Sequence, residues 1–264
     1  MEETLALRLH EKDVEEELCK MLEENGEEFR KYVEKFDFND KNIERKYYHS
    51  LRVKSLCQLI AKDLGFSDED AKIAEVAGLL HDYGRFKQWS EYHTYNDLDS
   101  IDHADYGVQE LFDNGEIVNY WTNKEDYDEI YDAIKYHNKL NIPENLSEHN
   151  KLLCQVVRDA DKLDIMYLYV SNTLLFEEKG DISPKVKESF DNQKTVDRKD
   201  QKTEADNIIL LLAFIYDLNF DYSFKHLKKH KILNQIYENI KDKDKYKYYF
   251  DVAIRFVEEK INSI

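Results

Sequence analysis

Apolar residues recur along most of the chain at the spacing of an amphipathic α-helix, and no stretch alternates convincingly as a half-buried strand does. The clearest pattern covers residues 41–64 and ends near Gly65. Its apolar stripe consists of Val53, Leu56, Cys57, Ile60 and Leu64. A second helix is predicted from Ser67, which begins a capping box with Asp70, through to Leu80.

Further helices are predicted in the rest of the chain, and together they indicate an all-α fold. They cover about residues 102–113, 125–138, 148–170, 204–217, 222–240 and 244–262. Another helix is expected to begin at Ser183-Pro184, because Pro is favoured at the first helical position. Only 7 Gly and 2 Pro occur among 264 residues, which favours long helices over a turn-rich all-β fold.

Three segments depart from this helical pattern or interrupt it. Residues 83–100 are aromatic and polar, and we predict that they are irregular. Residues 190–203 are predicted to form a polar loop. Residues 1–40 are predicted to form one or two charged helices, with a break near Asn25-Gly26.

The charge balance limits the partners that the surface can bind. The chain carries 38 basic and 56 acidic residues, a net charge of −18, and such a surface repels the phosphate backbone of nucleic acids. We therefore expect no nucleic-acid partner, and an anionic substrate only where local cations gather it. The longest apolar run is nine residues, too short to span a bilayer, so no membrane partner is expected.

Cysteine usage and the N-terminal sequence indicate a reduced compartment. Cys19, Cys57 and Cys154 are odd in number and far apart, and they form neither a disulfide framework nor a zinc motif. The N-terminus is acidic and interrupted by charge, unlike a signal peptide. Both features favour a cytoplasmic location. The oligomeric state stays open.

Residues with the chemistry of metal ligands recur in order along the helical patterns. They are His49, His81-Asp82, His103, His137 and Asp161. Imidazole and carboxylate groups together suit a divalent transition-metal ion. Adjacent residues such as His81 and Asp82 point about 100° apart on a helix, so both reach one ion only where the helix ends and the chain bends. Gly84 is predicted to supply that bend.

This order of residues resembles the HD-domain superfamily of metal-dependent phosphohydrolases, whose motifs run His, then His-Asp, then a distant Asp on an α-helical bundle. The segment GLLHDYGRF resembles the family's His-Asp core, and DADKLD resembles its last motif. The resemblance covers roughly residues 45–170. It implies an HD-domain helical bundle. With the helical patterns on either side of this range, we predict extra N-terminal and C-terminal helices and the domain division 1–40, 41–180 and 181–264.

The resemblance also implies a ligand set. His49, His81, Asp82 and Asp161 would bind a first divalent ion. His103 and His137 match two further histidines of members with a binuclear site, in which Asp82 would bridge both ions. One or two ions of Mn, Fe, Co, Ni or Zn are expected, since all of these accept imidazole and carboxylate ligands.

The activity that the resemblance implies is hydrolysis of a phosphomonoester or phosphodiester in a small molecule, expected to be a nucleotide. A cyclic dinucleotide is disfavoured, because Arg85 replaces the usual Lys, Asn138 follows His137 and no Gly-Tyr-Pro signature occurs. Two alternatives stay open. The same ligands occur in HD-type di-iron oxygenases, and a non-catalytic metal-binding interaction module remains as the third possibility.

Four further residues are candidates for catalysis or substrate binding. Arg85 and Lys162 would neutralise phosphate charge. Arg85 also fits a surface ion pair, and Lys162 also fits a residue that faces solvent beside a ligand on its helix. Asp164 lies on nearly the same helix face as Asp161 and is a candidate general base, or simply a paired Asp. His93 lies between two ligand motifs, where a loop would cover the site and contact substrate, or be exposed.

Overall fold

The computed structural model describes residues 26–263, and within this range the chain is helical and contains no strand, which confirms the all-α fold class. The helices of the N-terminal part are α1 (Gly26–Val33), α2 (Lys41–Asp63), α3 (Asp68–Leu80), α4 (Tyr83–Tyr92), α5 (His103–Val108), α6 (Tyr127–Tyr136) and α7 (Glu148–Val170). They are followed by α8 (Pro184–Asp191), α9 (Asp206–Leu212), α10 (Asp221–Lys229), α11 (Ile232–Asn239) and α12 (Lys243–Asn262). The helix predicted before Asn25 lies outside the described residues.

Helices α2 and α3 form a close pair, and both begin where the sequence predicts. The Asp40 carboxylate accepts a hydrogen bond from the Asn42 amide at 2.8 Å and caps α2. The predicted capping box of α3 is confirmed, because Ser67 Oγ accepts from the Asp70 amide at 3.1 Å. The two helices approach so closely that a Cβ atom at Gly78 would lie 2.6 Å from the Sγ atom of Cys57.

The prediction that residues 83–100 are irregular is wrong for the first half of the segment, which forms α4. Tyr83 and Phe86 lie on one face of this helix and are buried. The Tyr83 ring stacks on Tyr32 with centroids 3.7 Å apart, and Phe86 meets Phe29 edge-on at 5.7 Å. Two aromatic anchors three residues apart therefore hold the helix, and such a short apolar pattern is easily missed among polar neighbours.

The helix predicted over residues 222–240 is also corrected, since α10 and α11 are separate helices. Lys231 adopts a left-handed backbone conformation, with φ of 48°, between them. Neither Gly nor Pro marks this break in the sequence. The helices predicted at 148–170 and 244–262 are confirmed at their predicted length. Those predicted at 102–113, 125–138 and 204–217 are present but shorter, because part of each is a 3₁₀ or π turn. These turns are Gln109–Asp113, Lys124–Asp126 and Ala213–Asp217.

The described chain divides into two compact units, one reaching to Val157 and the other starting at Arg158. Helix α7 contributes to both. In the first unit α3 packs against α2 and α6, while α5 packs against α4 and α6. In the second unit α12 packs against α9, α10 and α11. The division into 1–40, 41–180 and 181–264 stays a prediction. Among residues 26–263, no helix combines the length and apolar composition needed to cross a bilayer.

A buried carboxylate ties together the segments of the second unit that precede and begin α9. Asp206 is fully buried and accepts hydrogen bonds from the amide and the hydroxyl of Ser183, both at 2.7 Å. It also accepts from the amides of Lys202 at 2.8 Å and Thr203 at 3.0 Å. Burial alone would raise the pKa of Asp206, but these donors favour the charged form and lower it.

We expect Asp206→Asn to lower the free energy of unfolding by about 1–3 kcal/mol at pH 7, because an amide oxygen replaces a charged acceptor. The lowered pKa means that this stabilisation is complete above the ordinary aspartate range and is lost as the pH falls through the folded-state pKa. Urea titrations of both proteins at pH 7 and near pH 3 measure the difference. Asp251→Asn, at an exposed ion pair with Lys247, is the control. A difference independent of pH would contradict the assignment.

Candidate metal centre

Five predicted ligands come together in the first unit, on segments that the helix packing brings to one place. His49 lies within α2, His103 begins α5 and His137 directly follows α6. His81 and Asp82 form the junction between α3 and α4. All five side chains are buried, with exposed fractions of 4 % or less.

The carboxylate of Asp82 lies between two pairs of imidazoles, one pair at each oxygen. Its Oδ2 atom is 3.3 Å from His49 Nε2 and 3.4 Å from His81 Nε2, and we call these groups the first half-site. Its Oδ1 atom is 3.3 Å from His103 Nε2 and 4.0 Å from His137 Nε2, and we call these the second half-site. Both groups have the spacing that a metal ion needs.

The hydrogen bonds of the ring nitrogens show which atoms are available to a metal. Nδ1 of His81 lies 2.7 Å from the Gly78 carbonyl oxygen, and Nδ1 of His137 lies 2.6 Å from that of Ile134. Carbonyl oxygens only accept hydrogen bonds, so in each ring Nδ1 carries the proton. The Nε2 atom of each neutral ring therefore has a lone pair to offer.

The second half-site gives the clearest indication that these residues fit a cation. Nδ1 of His103 donates to the Asp97 carboxylate at 2.7 Å, so its Nε2 is also unprotonated in the neutral ring. That atom lies only 3.0 Å from Nε2 of His137. Two facing lone pairs at this distance repel each other unless a cation lies between them, and nitrogen and carboxylate donors suit a divalent transition metal.

The electrostatics keep the ligands in the protonation states that metals require. Burial alone would raise the pKa of Asp82, but the adjacent Lys46 ammonium holds it well below the usual range. Burial lowers the pKa of His103, and the Arg85 guanidinium lowers it further. The carboxylate is therefore charged and the imidazole neutral.

A partly buried network that the sequence did not reveal supports the second half-site. Asp97 Oδ1 accepts from Arg85 Nη1 at 2.7 Å and from Gln88 Nε2 at 2.8 Å, while its Oδ2 holds His103. Asn138 Nδ2 also donates to Asp97 Oδ2, at 3.2 Å. Asp97 lies in a segment without helical periodicity, six residues before His103, so no motif points to it. The only signal available was the presence of a carboxylate close to a ligand.

Gly84 has a different role from the predicted one. The bend between α3 and α4 occurs at His81 and Asp82, and Gly84 lies inside α4. A Cβ atom at Gly84 would lie 2.2 Å from the carbonyl oxygen of His103 and 3.0 Å from the amide of Gly107. Glycine is needed because α4 and α5 touch here through their backbones.

The structure locates the other predicted residues as follows. Arg85 is buried beside Asp82, with Nε 3.4 Å from Oδ1. His93 is exposed at the left-handed C-cap of α4, next to Trp89.

Three predicted site residues lie in the part of α7 that belongs to the second unit, namely Asp161, Lys162 and Asp164. Asp161 is half-buried and Asp164 is buried. Lys162 is also buried, and its Nζ atom lies 2.7 Å from the Asp217 carboxylate. The functional roles of these residues, and those of Arg85 and His93, stay predictions.

One model of a known protein family matches part of the chain. Residues 47–166 match the family model of the HD domain, a range that runs from just before His49 to beyond Asp161. No curated protein and no solved structure matches the chain.

We expect Gly84→Ala to weaken both the fold and metal binding, because the added methyl group meets the backbone of His103. Such overpacking costs about 1–3 kcal/mol of unfolding free energy. Chemical denaturation and Mn²⁺ titration measure the two effects. Gly107→Ala is the matched control, because its Cβ atom would meet its nearest neighbour, the Gly84 amide, at 3.3 Å. Equal effects in both variants would contradict the account.

We expect Asp97→Asn to weaken metal binding at the second half-site by about 10- to 100-fold, the usual effect of losing a group that orients a ligand. Mn²⁺ titration followed by elemental analysis measures it. Asp99→Asn, exposed and two residues away, is the control. Unchanged binding in Asp97→Asn would show that the His103–Asp97 contact does not serve the metal.

Proposed function

We propose that the protein hydrolyses a phosphomonoester or phosphodiester of a small molecule, with nucleotides as the expected class. The premise is that residues 47–166 form an HD domain of the metal-dependent phosphohydrolase superfamily. The observation that carries this proposal is the position of Asp82 between two imidazole pairs. A single carboxylate that faces two imidazole nitrogens at each of its oxygens suits two ions held side by side.

The proposed ligands follow from the geometry and from the order of the motifs. His49, His81 and Asp82 would hold the first ion, and Asp82, His103 and His137 the second. Asp161 is proposed as a further ligand of the first ion because DADKLD resembles the last family motif and lies within the matched range. The metal is expected to be Mn, Fe, Co, Ni or Zn, since the ligand types accept all of them.

The chemistry expected of the centre is hydrolysis by water. Divalent ions bound here would polarise the phosphoryl oxygens and make water more acidic. Hydrolysis joins the water oxygen to phosphorus and breaks the bond to the leaving group, which takes up a proton. The chain's own contribution is to fix the donors: Asp97 and two backbone carbonyls orient three imidazoles. Asp164 is the proposed general base for the water.

The surface charge bears on the substrate. At a net charge of −18 the protein repels polyanions such as nucleic acids, so a small phosphorylated substrate is proposed. Cations close to the ligands are then required to attract it. Lys162 and His93 are the proposed contacts. Arg85 is also predicted as a contact, but its bonds to Gln88, Tyr95 and Asp97 favour a positioning role. The cytoplasm is the proposed location.

We expect Asp82→Ala to lose bound metal and phosphatase activity together, because both half-sites share this carboxylate. Elemental analysis and hydrolysis of a panel of phosphomonoesters and phosphodiesters measure the two losses. Asp63→Ala, at the exposed end of α2, is the control for removing one carboxylate. Metal content unchanged in Asp82→Ala would overturn the ligand assignment.

The same panel separates the proposal from its alternatives. Metal-dependent oxygen uptake without phosphate release would indicate an HD-type oxygenase. Metal binding with neither reaction across the panel would favour a non-catalytic binding module.

A further inference from the structure

Two cations lie against the carboxylate of Asp82, one at each oxygen. Lys46 Nζ is 2.5 Å from Oδ2, at the first half-site, and Arg85 Nε is 3.4 Å from Oδ1, at the second. Both side chains are largely buried, with 15 % and 10 % of their surface exposed. The two cations differ in the chemistry of their charged groups, and this difference bears on which one is able to contact a substrate.

Arg85 is fixed by the protein. Its Nη1 atom donates to Gln88 Oε1, to the carbonyl oxygen of Tyr95 and to Asp97 Oδ1, each at 2.7 Å. A planar guanidinium bound to three acceptors cannot turn towards a new anion without breaking these bonds. Arg85 therefore serves to hold Asp82 and Asp97 in place.

The side chain of Lys46 differs from that of Arg85 in shape and flexibility. Its ammonium is a point charge on a flexible four-carbon stem, and it lies 5.5 Å from the centre of the Tyr95 ring as well as against Asp82. The Tyr95 hydroxyl donates to the carbonyl oxygen of Asn42 at 2.9 Å, so the ring is held firmly in place. The aromatic face thus offers the ammonium a second favourable position beside the same half-site.

A divalent ion on Oδ2 would repel the ammonium that shares this oxygen. Lys46 is three residues before His49 on α2, so its stem begins one helical turn from a ligand. Moved off Oδ2, the ammonium stays beside the first half-site. An anion bound to the metal there is the partner that best compensates the added positive charge.

We propose that Lys46 is the substrate-binding cation of this centre, and that its ammonium contacts the phosphoryl oxygens of a metal-bound phosphate ester. The inference rests on the proposed function and identifies the residue that supplies the local positive charge that the acidic chain needs. Phosphate oxygens are strong acceptors, and a hydrogen bond between charged groups is about twice as strong as a neutral one.

The test uses inorganic phosphate as the probe and the full-length protein loaded with Mn²⁺. Calorimetric titration compares wild type with Lys46→Met, Lys46→Gln and Lys46→Arg. Lys41→Met is the matched control, because Lys41 is an exposed residue of the same helix whose Nζ lies 3.5 Å from Glu44. Having both neutral variants keeps the test valid if one of them fails to fold.

We expect phosphate to bind about 10- to 100-fold more weakly to Lys46→Met and Lys46→Gln, the usual effect of losing a hydrogen bond to a charged group. Lys46→Arg should recover part of the affinity for phosphate, and the control Lys41→Met should bind phosphate as tightly as wild type does. The Mn²⁺ content of every variant should equal that of wild type. On a hydrolysed ester, the neutral variants should show the same loss as a raised KM.

The other outcomes separate the two proposals. Phosphate binding that is equal in wild type and the neutral variants would overturn the role of Lys46 and leave the proposed function intact. Loss of Mn²⁺ from the neutral variants would make Lys46 a structural partner of Asp82 and also overturn it. Absence of phosphate binding by Mn²⁺-loaded wild type would contradict the phosphohydrolase proposal itself.

Discussion

One carboxylate, that of Asp82, is the constraint on which the rest of the first unit depends. Its two oxygens each face a pair of imidazole nitrogens, so four helical segments must arrive at a single point. The short junction between α3 and α4 makes this possible, because His81 and Asp82 leave the helical path there and both turn to the same centre. Moving any of these helices would separate donors that lie close enough together to hold an ion.

Burying so many polar groups is unfavourable unless each one has a partner. Asp82 lies between Lys46 and Arg85, and Asp97 lies between Arg85 and His103. This alternation of charges keeps both carboxylates ionised, and burial keeps the His103 imidazole neutral. Backbone carbonyl oxygens orient two of the imidazoles. His81 and His137 are each bonded to a carbonyl oxygen of the preceding helical turn, so local helix geometry orients these donors.

Much of this arrangement could be predicted from the sequence, because it depends on local signals. The stripe on residues 41–64 and the Ser67 cap predict α2 and α3, and the ordered His and Asp motifs predict which residues meet. Other features depend on tertiary contacts that leave no local signal. Asp97 acts through packing against His103, Lys46 through its reach to Asp82, and Gly84 through backbone contact with α5 rather than through a bend. Helix α4 is stabilised by rings from α1, which no local pattern reveals.

The arrangement around Asp82 leads us to propose that two metal ions share this carboxylate. Elemental analysis of wild type beside the His103→Ala/His137→Ala double variant tests this sharing, since the double variant removes both imidazoles of the second half-site and leaves the first intact. We expect two divalent ions per chain in wild type and one in the double variant. Equal metal content in the two proteins, or no metal in either after loading with Mn²⁺, Fe²⁺ or Ni²⁺, would contradict it.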